Sequence, residues 1–146
     1  LNKHRYLSSV FKGKAMEEKF NNATPQRPAG HRPLDGKMVL ADLPRFIKEI
    51  RNEAAYHENG KNAITVFKSE HVTTTLVALK KDEKFQSGSE ERHLLMSLYL
   101  IEGNLSFFTE GAEDYVSEYQ LLNYHYDHSF QAVAHTDCIC LLTVFK

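Results

Sequence analysis

The sequence predicts an all-β barrel over about residues 63–145, preceded by an N-terminal arm and one external helix. Three observations carry that reading. From Ala63 onward the segments AITVF, HVTTTLVAL, LLMSLYLI, NLSFFT, DYVSEYQLLNY, SFQAVA and CICLLTVF are rich in β-branched and aromatic residues, the composition of strands. Turn-like stretches separate them (KSE, KKDEKFQSGSEE, EGN, EGAE, HTD), and Glu102-Gly103-Asn104 supplies the positive φ of a tight hairpin. Ahead of them stands a single amphipathic helix with one narrow apolar stripe, which needs a sheet to pack on. Short strands at near-regular spacing read as a sandwich or barrel, and closure removes the edges such apolar strands would expose.

The elements follow in order. Residues 1–22 are polar and mixed, with a short helix expected over Lys14–Phe20, where Met16 and Phe20 share a face. Residues 23–37 hold three of the four prolines and read as an extended connector. The helix is expected at about 42–58. Asp42 is its N-cap, Pro44 suits its first turn, and Leu43, Phe46, Ile47 and Ile50 form the stripe before the stop at Asn59-Gly60. The chain thus divides into an arm and connector (1–41) and a barrel with its leading helix (42–146).

At 146 residues the chain is long enough for one domain that needs no disulfide or metal to hold it together. No apolar run approaches the roughly 20 residues of a membrane span, and the N-terminus lacks the apolar core of a secretory signal. Its two cysteines, Cys138 and Cys140, share a strand face and read as buried free thiols. Nothing in them asks for an oxidising compartment, so the expected location is cytoplasmic. Charge is split along the chain: residues 1–62 carry 12 Lys/Arg against 7 Asp/Glu, while residues 63–146 carry 6 against 12. The basic residues of the arm are scattered without stacking aromatics, so a nucleic-acid partner is not expected. A basic arm lying against an acidic barrel is.

Two stretches carry a resemblance. LLMSLYLIEGNLSFFTEG (Leu94–Gly111) resembles the close of the first cupin motif, and LLNYHYDHSFQAVAHTDCICLLTVF (Leu121–Phe145) resembles the second. The lead-in from Thr24 resembles that of small bacterial cupin-domain proteins with no assigned activity. The resemblance implies a cupin-like double-stranded β-helix, the RmlC-like jelly-roll barrel. It implies no single function, since that fold hosts many.

Metal cupins hold iron, manganese, nickel or zinc with three histidines and a glutamate. Counted back from Gly103, the glutamate position falls on Met96, and the histidine positions fall on Glu90 or Ser89 and on Arg92 or Glu91. His93 lies one residue off, which strand alternation turns outward while Met96, Leu98 and Leu100 turn inward. In the second motif His128 matches the histidine, with Asn123, His125 and Ala132 at the neighbouring motif positions. The resemblance therefore implies an altered metal site. Its candidate ligands are His93, His125 and His128, and the divalent metal would be Zn, Ni, Fe or Mn.

The Tyr/His alternation in NYHYDHSF suits a polar cavity mouth, and no G-x-S-x-G, P-loop or dinucleotide fingerprint is present. The expected function is binding of a small molecule inside the barrel, by Met96, Leu98, Tyr124, His125 and His128. The alternative is a metal-dependent cupin enzyme, of dioxygenase or isomerase type, using the three histidines. A homodimer is expected because Leu94–Ile101 is apolar on both faces.

Overall fold

A computed structural model describes residues 19–21, 27, 32–87, 95–125 and 128–146. His93, Glu90 and most of the helix expected over Lys14–Phe20 lie outside these residues. The end of that stretch is strand instead: β1 (Lys19–Asn21) pairs antiparallel with β2 (Arg32–Asp35), so part of the expected connector is strand too.

The leading helix is two. α1 (Leu43–Asn52) is capped by Asp42, whose carboxylate accepts the Arg45 N–H at 3.3 Å. α2 (Ala54–Asn59) follows after Glu53, which is extended at φ −74°, ψ 148°. The break has a cause in side-chain chemistry. Arg27 donates to both Glu53 carboxylate oxygens at 2.6 and 2.8 Å, and Asn62 Nδ2 donates to one of them at 2.7 Å. Gly60, at φ 72°, ends α2 by donating its N–H to the Tyr56 carbonyl.

Among the described residues nine strands follow: β3 (Lys61–Lys68), β4 (Val72–Leu79), β5 (Lys84–Gln86), β6 (Leu95–Glu102), β7 (Leu105–Thr109), β8 (Ala112–Val116), β9 (Leu121–His125), β10 (Gln131–Ala134) and β11 (Cys138–Phe145). They form a five-stranded sheet ordered β3-β4-β11-β6-β9 and a four-stranded sheet ordered β5-β10-β7-β8. Every pairing is antiparallel. From β4 onward the chain passes back and forth between the sheets in the order of an eight-stranded jelly roll.

Two strand expectations change. DYVSEYQLLNY is two strands in different sheets, parted by a turn in which the Gln120 N–H donates to the Ser117 carbonyl and Tyr119 takes φ 66°. The polar stretch KKDEKFQSGSEE contains β5, which pairs with β10.

Alternation divides the apolar residues between two cores. Val77, Leu79, Met96, Leu98, Leu100, Cys138 and Cys140 meet Leu105, Phe107, Phe130, Ala132 and Ala134 between the sheets. The opposite face of the large sheet turns Ile64, Val66, Leu76, Ala78 and Ile139 onto Ile50 and Tyr56 of the helices. A strand covered on both faces must be apolar on both. That accounts for the runs in β4 and β11, which bear Cys138, Cys140 and Leu142 inward and Ile139 and Leu141 toward the helices. No helix among the described residues is long and apolar enough to cross a membrane.

Candidate functional site

A cavity of about 340 Å³ opens between the two sheets, within the range of small-ligand sites. The large sheet supplies Thr65 from β3, Thr73 and Thr75 from β4, Met96 from β6, and Leu142 and Val144 from β11. Register explains the grouping: Thr75 pairs with Leu142 and Thr73 with Val144, which pairs in turn with Met96. Thr65 also stands opposite Thr75, just before a register shift between Thr65 and Phe67 that re-aims the end of β3. The facing wall is Phe85, Gln86 and Ser87 of β5 and its end, together with Phe130; Lys68 and Lys146 complete the lining.

That facing wall is held rigidly. The Ser87 N–H donates to the Phe130 carbonyl at 3.1 Å, and the Phe130 N–H donates to Ser87 Oγ at 3.0 Å. The Phe130 ring stacks on Phe107 with centroids 5.0 Å apart and meets Phe85 edge-on at 5.9 Å. One wall atom stands out. Thr73 Oγ1 is buried and has no hydrogen-bond partner, an arrangement that costs free energy in a closed interior.

A second opening, of about 510 Å³, adjoins the first and shares Phe85 and Gln86 with it. It lies along the seam where β3, the edge of the large sheet, passes β5, the edge of the small one. Its walls are Lys61, Asn62, Ala63, Val77, Leu79 and Lys84. Lys61 Nζ reaches across the seam and donates to the Lys84 carbonyl at 3.3 Å. The outer edge of β3 is closed differently. Arg27 donates to the Ala63 carbonyl at 2.8 Å, and Arg32 donates to the Thr65 carbonyl.

The residues singled out from the sequence take different places. Met96 and Leu98 are both fully buried in the core between the sheets, and of the two only Met96 also borders the cavity. Tyr124 packs against that core, with its ring edge-on to Phe107 and Phe130. Its hydroxyl donates to the His128 carbonyl at 2.9 Å and accepts the His128 N–H at 3.2 Å. His125 is exposed at the end of β9. His128, expected to face inward, has a side chain 61% exposed, with Nε2 3.7 Å from a Glu110 oxygen. The turn before β10 holds its backbone to Tyr124 and leaves the imidazole outside.

His93 lies outside the described residues. Among those described, no three His, Cys, Asp or Glu side chains come together in a way that could hold a metal ion. The donors present there therefore do not assemble the ligand set implied by the resemblance. Nor do the cysteines offer one. Both are free, and burial raises both thiols, pushing Cys140 up to about 12. They stay protonated at neutral pH, and a thiol is a poor nucleophile or ligand.

Sequence reasoning passed over most of the cavity wall. The threonines were legible as the polar members of HVTTTLVAL, and Phe85 as a lone aromatic in a charged loop. Neither signal says which face the residue takes until strand pairing fixes it.

No family model matches the chain, and no curated protein matches it. Solved structures do. A conserved protein of unknown function from Streptococcus pyogenes is similar at 16% identity and TM-score 0.58, over 77% of this chain and 90% of that one. An RmlC-like cupin protein from Desulfovibrio desulfuricans is similar at 18% identity and TM-score 0.54, over 60% and 84% of the two chains. KdgF from Halomonas sp. is similar at 17% identity and TM-score 0.52, over 61% and 82%. At such identities the likeness concerns shape, and it agrees with the strand order: the chain has the cupin-like, RmlC-like jelly-roll fold.

Proposed function

We propose that the protein binds a small molecule between its sheets, in the cavity walled by Thr65, Thr73, Thr75, Met96, Phe85 and Phe130. The observation that carries the reading is the cavity itself, about 340 Å³ between the sheets, whose walls combine threonines with aromatic and aliphatic side chains. A bound ligand would cover the half-buried Phe85 ring and the Leu142 and Val144 methyls around it. Apolar walls with a few converging polar groups are what small-ligand sites are made of. In this reading the site binds a ligand through its apolar walls and threonines.

The test is a thermal-shift screen of metabolites on the wild type and on Thr65→Phe, which fills the cavity from a half-buried strand position. Ligands of this site raise the melting temperature of the wild type and leave the variant unmoved. Shifts that survive in the variant would place binding elsewhere and end the proposal.

The homodimer also belongs to this reading. Leu95 and Tyr99 on the outward side of β6 are only half buried within one chain, and a second copy would complete their cover. Sedimentation equilibrium at a monomer mass across the micromolar range would remove it.

A further inference from the structure

We infer that the cavity and its adjoining seam select a small organic acid, an inference that rests on the proposed binding reading and names its ligand class. The observation is the distribution of charge. Residues 63–146 carry twice as many acidic as basic residues, 12 against 6. The two openings invert that balance. Lys68 and Lys146 line the cavity and Lys61 and Lys84 line the seam, while among the described residues no Asp or Glu lines either.

None of these four lysines is ion-paired to a carboxylate among the described residues, where the ion pairs engage Lys19, Arg27 and Arg51 instead. The nearest acid in sequence to Lys68 is Glu70, which is 85% exposed and lies 3.9 Å from His71. A cleft lined by one sign of charge over low-dielectric walls concentrates its field, and so gathers counter-ions. The ammonium groups provide the charge that a carboxylate answers.

The walls say what the rest of the ligand is. Between the lysines stand Phe85, shared by both openings, and Phe130, with Met96 and Val144 across from them. They leave room for an apolar or aromatic body, and the Gln86 amide offers it neutral hydrogen bonds. A bare inorganic anion would leave that apolar surface uncovered. An uncharged ligand would leave the four ammonium groups to solvent alone.

The experiment titrates the full chain at low ionic strength with benzoate, phthalate and succinate, each beside its uncharged amide, and with inorganic phosphate. Melting temperature and the amide resonances of Phe85, Gln86 and Ser87 are followed together. The acids shift both and the amides do not. In Lys68→Gln/Lys146→Gln the acid affinity falls at least fivefold, and raising salt to about half molar weakens wild-type binding similarly, since exposed charges are then screened within about a Debye length. All four lysines are exposed, so the variants fold.

Amides that bind as well as the acids, or lysine variants that bind the acids unchanged, would overturn this inference and leave the cavity as a site for neutral molecules. Phosphate binding as tightly as the organic acids would overturn it in favour of a bare-anion site. If no member of either series moved the Phe85–Ser87 resonances, the binding reading beneath it would fall as well.

Discussion

Thr73 and Thr74 are neighbours with the same side chain, and the structure assigns opposite signs to the same substitution. Thr73 Oγ1 is buried without a partner; Thr74 Oγ1 lies 3.2 Å from Thr143 Oγ1 across the β4–β11 ladder. Valine replaces the hydroxyl by a methyl at nearly the same volume. At position 73 it removes a desolvated polar group whose burial costs about 1–3 kcal/mol. The residue borders a cavity, so the low end applies, and Thr73→Val should stabilise the unliganded protein by about 1 kcal/mol. For a chain of this size that is roughly 3 °C in melting temperature. Thr74→Val instead strands the Thr143 hydroxyl and should cost about 1 kcal/mol. Urea unfolding of the wild type and both variants measures each change as a midpoint shift at constant m. Thr73→Val losing as much stability as Thr74→Val would refute the reasoning, because its hydroxyl would then have a partner.

Other consequences are as direct. Cys140 is pushed up from 9.0 to about 12, by burial first and by Cys138 second. Between those values the unfolded chain has lost a proton that the folded one keeps, so stability falls as pH rises through that window, by at most about 1.4 kcal/mol per pH unit. Alkaline urea titrations of wild type and Cys140→Ala check this: the variant's curve should be the flatter. Gly103 sits at φ 90°, and a Cβ there would meet the Asp137 carbonyl oxygen at 2.3 Å, whereas Gly111 at φ 75° has nothing within 4 Å. Gly103→Ala should therefore cost about 3 kcal/mol and Gly111→Ala about 1, read by calorimetry; equal losses would mean that the close approach is unimportant. Glu53→Ala leaves the largely buried Arg27 guanidinium without its carboxylate. It should destabilise by about 3 kcal/mol, and a coupling near zero in the double-mutant cycle with Arg27→Ala would show that the pair contributes only as separate residues.

The fold was legible because its signals are local and redundant. Alternation counted from Gly103 placed Met96, Leu98 and Leu100 on one face of β6, and all three are fully buried. Asp42 and Gly60 marked the two ends of the helical stretch correctly. What stayed hidden depends on partners far away in sequence. Glu53 breaks the helix because Arg27 and Asn62 hold its carboxylate, and nothing within AAYHEN announces that. Lys84–Gln86 is strand because Gln131–Val133 pairs with it, although its own residues read as loop. The candidate site suffered most. Motif counting directed attention to His125 and His128 near the second motif, but both are exposed, while the cavity is walled by threonines and phenylalanines that no motif marks.

The treatment of the β3 edge bears on what the opening beside it can admit. A strand at the edge of a sheet offers unpaired carbonyls and N–H groups, and the usual visitor is another strand. Here the Ala63 and Thr65 carbonyls are taken by the Arg27 and Arg32 side chains. The Arg32 guanidinium is also 5.7 Å from the Phe46 ring centroid, so the arm is fastened to α1 as well as to the strand. Arginine is suited to this, since its planar fork presents several donors in fixed directions and keeps its charge. Two backbone acceptors are thereby satisfied without extending the sheet. The neighbouring seam then faces lysines and the Phe85 ring rather than a free ladder of peptide groups. Strand addition gains its affinity from main-chain hydrogen bonds, and with these two acceptors engaged that route is weakened. An entrant that brings its own charge and a compact apolar body loses nothing by their absence. The arm therefore weakens strand addition at this edge as it holds it to α1, and Arg32→Met should weaken both restraints together.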